Sequence, residues 1–338
     1  MDIKEAISKV VDRIDLTEEE TISVMNQIMT GEATPLQVAS FLTALRMKGE
    51  KVQEITGAAR VMREKVHRIN VKADLVLDIV GTGGDRKGTF NISTASAFVA
   101  AGAGIAVAKH GNRSVSSQSG SADVLSALGV KVDAPIEKVE ACLEKIGIGF
   151  LFAPLLHEAM KYAVQPRREI GIRTIFNLLG PLTNPAGATH QLTGLYDGEL
   201  TELIANVLKN LGTVRAMIVH GMEGMDEISL CGPTRVSELR DGQVRNYTLT
   251  PEEAGLKRCR LEDLLGGTPQ ESAATLREVL RGEKGPKRDM VLLNSAAALY
   301  VSGAADSIAQ GIRLAQESID SGKAQAKLDR LIEMTNAS

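Results

Sequence analysis

The pattern of apolar residues changes near residue 70, and this change limits the fold class that the chain can adopt. Up to that point apolar residues recur every three or four positions, which is typical of helices. Beyond it, helical stretches alternate with short apolar segments at 75–80, 105–108, 148–152, 192–195 and 214–219. Such alternation is typical of a mainly parallel sheet covered by helices. We therefore predict an α/β protein with a small all-helical N-terminal domain (residues 1–72) and a large α/β domain with a mainly parallel central sheet (residues 73–338).

Capping residues mark two helix starts in the N-terminal region. Thr17 and Glu20 have the spacing of a capping box before a helix over 21–29. Thr34 and Gln37 repeat this spacing, with a proline in the first helical position between them. The chain becomes helical again from Pro269 onward. Helices therefore begin and end the chain, and the predicted strands lie between them.

Composition argues against several classes of protein. The chain has 338 residues, 43% of them hydrophobic, so it can bury a large core. A net charge of −3 and an aromatic content of 3% provide neither a basic field nor stacking platforms for nucleic acid. The three cysteines are far apart and lack the spacing of a zinc site. The N-terminus is amphipathic and acidic, and no segment is long and apolar enough to span a membrane, so we expect a cytoplasmic protein.

A glycine-rich loop follows the first predicted strand. Residues 81–85 read GTGGD, and a helical stretch begins near Asn91. Glycines let backbone N–H groups approach an anion closely, and the dipole at a helix N-terminus favours negative charge. The loop is not a Walker loop, because no Gly-Lys-Ser/Thr ends it, and it does not match GxGxxG. It therefore predicts a phosphate site that is neither an ATPase nor a dehydrogenase site.

A second polar segment follows the next predicted strand. Residues 109–117 read KHGNRSVSS. We expect Lys109 and Arg113 to bind phosphate and His110 to position a ligand. Two phosphate loops on neighbouring strands suit a ligand that carries phosphate at both ends, such as a diphosphorylated sugar.

These motifs resemble the anthranilate phosphoribosyltransferase family over essentially the whole chain. The likeness rests on GTGGD at 81–85, NIST at 91–94, KHGNRSVSS at 109–117 with GSAD at 120–123, GIRTIFNLLGPLTNP at 171–185, and GMDEIS at 224–229. It implies transfer of the phosphoribosyl group of phosphoribosyl pyrophosphate (PRPP) to the amine of anthranilate, with Mg²⁺, in tryptophan biosynthesis. It also implies that residues of about 170–188 join the small domain, and that this domain forms a homodimer.

The resemblance also implies which residues bind each ligand. It places PRPP at Gly81, Gly84, Asp85, Thr89, Asn91, Ile92, Ser93, Thr94, Lys109, His110, Gly111, Asn112, Arg113, Ser114, Val115, Ser116, Ser117 and Ser121. It places anthranilate at Gly81, Asn112 and Arg167, with Arg168 as the neighbouring alternative to Arg167, and Mg²⁺ at Ser93, Asp226 and Glu227. The acidic pair follows a predicted strand, on the sheet edge where ligands collect, and hard cations prefer carboxylate oxygens.

No catalytic nucleophile or general base is predicted. An aryl amine is already neutral at pH 7, so positioning and electrostatics are sufficient for the transfer. Two alternatives share this architecture: a pyrimidine nucleoside phosphorylase and a non-catalytic relative that binds nucleic acid. The first would use inorganic phosphate instead of magnesium pyrophosphate. The second would carry a basic stripe and lack the acidic pair, and this chain has the reverse.

Overall fold

A computed structural model describes residues 1–114 and 119–337. Val115, Ser116 and Ser117, three of the predicted PRPP-binding residues, lie outside the described residues. The α-helices are α1 (Ile3–Val11), α2 (Glu18–Thr30), α3 (Pro35–Lys48), α4 (Val52–Lys65), α5 (Ile92–Gly102), α6 (Ser121–Leu128), α7 (Ile136–Ile146), α8 (Ala153–Leu156), α9 (Lys161–Ile170), α10 (Phe176–Leu182), α11 (Thr201–Asn210), α12 (Pro269–Leu280), α13 (Pro286–Val301), α14 (Ile308–Asp320) and α15 (Lys323–Asn336). The strands are β1 (Leu77–Gly81), β2 (Val107–Gly111), β3 (Ile148–Phe152), β4 (His190–Gly194), β5 (Arg215–Gly221), β6 (Thr234–Arg240) and β7 (Gln243–Leu249).

Both predicted capping boxes are present in the N-terminal helices. The Thr17 Oγ1 accepts the Glu20 N–H at 3.2 Å, and Glu20 accepts the Thr17 N–H at 3.0 Å. Thr34 and Gln37 make the same reciprocal pair at the start of α3. Each box satisfies backbone donors that the first helical turn leaves unpaired. The second helix therefore begins at Glu18, directly after its cap, and not at residue 21.

The strands of the described residues form one mixed sheet in the order β3-β2-β1-β4-β5-β6-β7. The first five in this order are parallel, which confirms the predicted mainly parallel sheet. The two strands at the other edge, β6 and β7, are antiparallel and were not predicted. They form a hairpin whose turn residues Asp241 and Gly242 have φ values of 52° and 70°, as a two-residue type I′ turn requires.

The predicted strand bounds are shifted by up to three residues, and one shift affects the site. The predicted strand 105–108 is observed as Val107–Gly111, so Lys109 and His110 lie inside β2 and not in a loop after it. Both side chains are buried, at 4% and 5% exposure. Polar residues can continue a buried strand when their side chains find partners inside the protein, and the next section describes those partners.

The chain reverses its direction of strand addition at the centre of the sheet. From β1 it builds β2 and β3 on one side, and it then returns to place β4 and β5 on the other. Ligands of open α/β sheets bind where the strand order reverses, at the carboxyl ends of the strands. The GTGGD motif follows β1 and the KHGNRSVSS motif begins within β2, so both motifs lie at this end of the sheet.

Two large groups of buried residues hold these elements together. The first surrounds the sheet, where the small side chains of α5 and α13 pack against the strands. The second joins α1–α4 with α9, α10 and α11, and it includes Ile175, Phe176 and Leu179. Arg63 of α4 donates to the carbonyl oxygens of Leu182 and Leu211, which adds polar contacts to the second group. No helix among the described residues combines the length and hydropathy of a membrane span.

Candidate active site

The glycine loop (residues 81–88) turns sharply away from the end of β1. Gly83 and Gly84 have φ values of 67° and 75°, a conformation that side chains other than glycine disfavour. The Gly83 N–H donates to Asp226 Oδ2 at 2.8 Å. The loop is therefore fixed by a side chain that lies more than a hundred residues along the chain.

Asp226 fits into a notch between the ends of β1 and β4. A Cβ atom on Gly194 would lie 1.6 Å from the Asp226 carbonyl oxygen, and a Cβ on Gly81 would lie 2.6 Å from its Oδ2. The missing side chains let the segment after β5 approach the centre of the sheet. The acidic pair is thereby brought to the point where the strand order reverses.

The neighbouring carboxylate of Glu227 lies at the start of α5. Its Oε1 accepts the Ser93 N–H at 3.1 Å, so a carboxylate already faces the dipole at this helix N-terminus. Burial, together with the nearby Asp226 carboxylate, raises the pKa of Glu227 well above its usual range. Burial and the adjacent Asp85 raise the pKa of Asp226 to about 7. These carboxylates are concentrated at one place and would be stabilised by added positive charge.

Asp85 completes the acidic group. Its Oδ1 accepts the Lys87 N–H at 3.1 Å, whereas its Oδ2 is buried and has no hydrogen-bond partner among the described residues. An unpaired buried carboxylate oxygen beside Asp226 fits a divalent cation. In residues 1–114 and 119–337, no three His, Cys, Asp or Glu side chains are arranged to hold a metal alone. A cation held here would therefore need further oxygens, such as those of Ser93, water or a bound phosphate.

Lys109 interacts electrostatically with the carboxylates of Asp226 and Glu227. Its Nζ donates to the Ile79 carbonyl oxygen at 2.6 Å and to Ser93 Oγ at 3.2 Å. Burial lowers the pKa of Lys109, and the carboxylates of Asp78, Glu227 and Asp226 oppose that shift. The ammonium group thus joins β1, β2 and the start of α5 beneath the acidic group.

His110 faces the opposite side of β2 from Lys109. Its Nδ1 contacts the Gly180 carbonyl oxygen at 3.2 Å, and its Nε2 lies 3.2 Å from His157 Nε2. Burial lowers the pKa of His110 to about 3 and that of His157 to about 4, so both imidazoles are neutral at pH 7. His110 therefore connects the sheet to α10 and to the segment after α8.

The polar loop (residues 112–120) is described at its two ends, 112–114 and 119–120. Asp123 of α6 holds both ends: its Oδ2 accepts the N–H groups of Ser114 and Gly120, each at 3.0 Å. Its Oδ1 accepts from Arg113 at 2.9 Å, and this arginine is 56% exposed. One carboxylate therefore sets the spacing of the loop ends and the direction of the Arg113 guanidinium.

Asn91 precedes α5 but does not cap it with its side chain. Its Oδ1 accepts from Ser119 Oγ at 3.1 Å, which connects the glycine loop side of the site to the polar loop. Ser121 Oγ donates to the Asn112 carbonyl oxygen at 3.3 Å. The structure thus places the two phosphate motifs side by side, as the sequence indicated.

Three other predicted PRPP-binding residues are buried or make backbone contacts, and the buried Thr94 Oγ1 has no hydrogen-bond partner among the described residues. Ile92 and Thr94 are buried, at 1% and 0% exposure, and Thr89 pairs with Leu265 in an isolated bridge. The N–H groups of Ile92 and Thr94 donate to Phe90 and Asn91 carbonyl oxygens. Ile92 and Thr94 therefore lie in the first turn of α5, and Thr89 lies before it.

Arg167 and Arg168 differ in their surroundings. Arg167 is half-buried, with its guanidinium carbon 5.0 Å from the centroid of the Phe176 ring, whereas Arg168 is exposed. Burial lowers the pKa of Arg167. Of the two, Arg167 is the one that packs against α10.

Several residues of the site were missed by the sequence analysis. Asp78, the second residue of β1, accepts the His110 N–H at 3.2 Å and the Asn184 amide N–H at 2.8 Å, and burial raises its pKa to about 6. Asp123 and Arg173 lie within quoted motifs, but neither was given a role. The signal for Asp78 was a single carboxylate inside an apolar run, because such a group must be hydrogen-bonded.

Family models cover both parts of the chain. Residues 4–66 match the helical bundle domain of a glycosyl transferase family, and residues 73–325 match the a/b domain of such a family. An anthranilate phosphoribosyltransferase of Acetivibrio thermocellus is 57% identical over 335 residues, which cover 99% of this chain and 97% of that protein.

Solved structures agree with these matches. The crystal structure of anthranilate phosphoribosyltransferase from Thermus thermophilus has a TM-score of 0.94 and 48% identity, over 98% of this chain and 99% of that one. The Saccharomyces cerevisiae enzyme in complex with PRPP and Mg has a TM-score of 0.89 and 30% identity, over 98% and 97%.

Proposed function

This chain belongs to the anthranilate phosphoribosyltransferase family of the glycosyl transferases. We propose which of its residues bind PRPP, Mg²⁺ and anthranilate during the reaction. Its activity is the transfer of a phosphoribosyl group to anthranilate in tryptophan biosynthesis. The phosphorylase and nucleic-acid-binding alternatives are set aside, because relatives that match nearly the full length are anthranilate phosphoribosyltransferases. We place the enzyme in the cytoplasm.

The main support for the residue assignment is that three elements make contacts at or beside the acidic group formed by Asp85, Asp226 and Glu227. The Gly83 N–H reaches Asp226, the Ser93 N–H reaches Glu227, and Lys109 reaches Ser93. The glycine loop, the start of α5 and β2 therefore share one set of contacts. A ligand with a pyrophosphate group would meet backbone amides, a cation and metal-binding carboxylates within this set.

The donor, PRPP, would lie between the glycine loop and the polar loop. The amides of the glycine loop and the side chains of Asn91 and Ser93 would hold its pyrophosphate end. Arg113, oriented by Asp123, would contact a phosphate at the polar loop. Placing both ends of the sugar fixes the anomeric carbon between them, which lowers the entropy cost of the reaction.

Magnesium fits this site through Ser93, Asp226 and Glu227, with Asp85 nearby. When bound there, Mg²⁺ would neutralise the negative charge of the departing pyrophosphate. The raised pKa values of Asp226 and Glu227 show that the negative charge of these buried, neighbouring carboxylates is unfavourable without a cation. A bound Mg²⁺ would compensate that charge.

The acceptor, anthranilate, would be held on the other side of the sugar by Asn112 and Arg167. The guanidinium of Arg167 can bind the anthranilate carboxylate through two parallel hydrogen bonds. The amine lone pair then forms the bond to the anomeric carbon as the bond to pyrophosphate breaks. The amine loses its proton afterwards, so no residue is required as a nucleophile or as a strong general base.

The activity is tested by following anthranilate fluorescence after PRPP is added to the purified protein. We expect the fluorescence to fall in the presence of Mg²⁺ and to stay constant in excess chelator. Constant fluorescence under both conditions would overturn the proposed donor and acceptor.

We also propose that the protein is a homodimer through its helical domain. Leu36 and Met47 are 81% and 72% exposed on one face of α3, and Val164 of the adjacent α9 is 51% exposed. Exposed apolar residues on neighbouring helices fit a contact between two copies of the chain. Sedimentation of a Leu36→Lys, Met47→Lys variant tests this proposal: we expect a monomer, and an unchanged mass would contradict it.

The helical domain is proposed to comprise residues 1–72 together with about 170–188. The packing of α1–α4 with α10 supports this division.

A further inference from the structure

Arg173 connects the glycine loop to the segment that follows Arg167, the arginine proposed to bind anthranilate. It lies between α9 and α10, six residues after Arg167. Its guanidinium donates to the Gly84 carbonyl oxygen. The guanidinium carbon also lies 3.8 Å from the centroid of the Tyr196 ring, a close cation–π contact.

Tyr196 is itself attached to the beginning of the glycine loop. Its N–H donates to Thr82 Oγ1 at 3.0 Å, and the Thr82 N–H donates to the Gly194 carbonyl oxygen at 2.9 Å. The contacts therefore close a ring that runs from Arg173 to Gly84, along the loop to Thr82, and back through Tyr196. Such a ring holds both the position and the tilt of the loop backbone.

Two charged residues of the N-terminal helical region lie near Tyr196. Arg46 and Glu50, whose side chains approach to 3.8 Å, both act on the half-buried phenol of Tyr196. Glu50 is 8% exposed, and burial raises its pKa. Arg46, near the end of α3, and Glu50, between α3 and α4, are thus close enough to Tyr196 to influence its phenol electrostatically.

We propose that Arg173 is a positioning residue that holds the glycine loop in its donor-binding geometry by anchoring it to the segment between α9 and α10. Its guanidinium acts through the Gly84 carbonyl and the Tyr196 ring, so it does not need to touch either substrate. This inference rests on the proposed placement of PRPP at the glycine loop.

The test compares steady-state kinetics of Arg173→Ala, Arg173→Lys and Tyr196→Phe. In Arg173→Ala we expect the KM for PRPP to rise about tenfold, because a half-buried cation–π contact and a hydrogen bond are both lost. The KM for anthranilate should change by less than about twofold, because Arg167 keeps its contact with Phe176. Lysine can donate to Gly84 but cannot stack as a plane, so Arg173→Lys should be intermediate. Tyr196→Phe keeps the ring and should match the wild type.

Arg240→Ala is the matched control, because Arg240 also lies over a tyrosine, Tyr300, and its guanidinium donates to that hydroxyl at 3.0 Å. It is on β6, next to the edge strand β7, and its substitution should leave both KM values unchanged. Gly84→Ala distinguishes a failure of the proposed role of Arg173 from a failure of the proposed PRPP site. A raised PRPP KM in Gly84→Ala with a normal one in Arg173→Ala overturns the role of Arg173 alone. Normal values in both overturn the placement of PRPP itself.

Discussion

The two phosphate loops are held in different ways. The glycine loop depends on residues far along the chain: Asp226 binds its Gly83 amide, and Arg173 binds its Gly84 carbonyl. The polar loop is closed by Asp123, which lies three residues beyond Gly120. The backbone of the glycine loop is thus anchored by residues distant in the sequence, whereas the two ends of the polar loop are joined by a nearby carboxylate, with a further contact from Asn91 to Ser119. Damage to the fold should therefore disturb the glycine loop first, whereas the polar loop can be altered by itself.

The largest expected effect comes from filling the notch at the end of β4. In Gly194→Ala the new Cβ would lie 1.6 Å from the Asp226 carbonyl oxygen, so the acidic segment must move. A displacement of this size should lower kcat/KM more than about a hundredfold. Gly232→Ala is the control, because its Cβ would meet only an ordinary contact with Glu223. Near-normal activity in Gly194→Ala would show that the glycine loop tolerates movement of its distant support.

Removing the charge of that support should have the next largest effect. Asp226→Asn keeps an oxygen for the Gly83 N–H but loses a negative ligand for Mg²⁺. The loss of one charged interaction costs about 2 kcal/mol, so the Mg²⁺ concentration for half-maximal rate should rise about thirtyfold. Glu252→Gln, in an exposed acidic pair, provides the comparison. Equal Mg²⁺ dependence in the two variants would rule out Asp226 as a ligand.

A smaller and more local effect is expected at the polar loop. Asp123→Asn retains one acceptor oxygen but weakens the contacts to Ser114, Gly120 and Arg113. The loss of about 1 kcal/mol should raise the KM for PRPP about fivefold and leave the melting temperature nearly unchanged. A large fall in the melting temperature would contradict the view that this loop is closed locally.

The smallest effect concerns stability and involves the histidines at the base of the polar loop. Burial lowers the pKa of His157 to about 4, below the unfolded value of about 6.5. The unfolded chain therefore binds the extra proton, and stability falls as the pH decreases from about 6.5 to about 4. Asp78 acts in the opposite direction: because burial raises its pKa to about 6, its contribution to the stability of the protein decreases as the pH rises. In His157→Gln the acid slope of the unfolding free energy should decrease by about 1.4 kcal/mol per pH unit. Chemical denaturation at several pH values measures this slope, and an unchanged slope would contradict the assignment.

Features that depend on neighbouring residues were predictable from the sequence. The capping boxes at Thr17 and Thr34 involve residues three positions apart, and both are present. The parallel sheet was predicted because each of its strands includes part of a short apolar run, although β2 and β4 also contain polar residues. The β6–β7 hairpin was missed because exposed polar residues interrupt its strands, although the Asp241–Gly242 pair is a strong hairpin signal.

The site was predictable only as a set of motifs. The contacts that build it join residues as distant as Gly83 and Asp226, and no local pattern encodes that pairing. The same limit applies to Arg173, whose motif was recognised but whose contact with Tyr196 depends on how β4 ends. The assignment of residues to PRPP, anthranilate and Mg²⁺ stays a prediction.

The hairpin at the edge of the sheet also affects how the protein behaves at high concentration. β7 pairs only with β6 in the described sheet, so its outer backbone groups could join the edge of another molecule. Gln243, Arg245, Asn246 and Thr248 are exposed along this strand. Polar and charged residues on an edge strand disfavour such pairing between sheets. The polar residues that prevented β7 from being predicted as an apolar strand thus also reduce the tendency of the protein to aggregate.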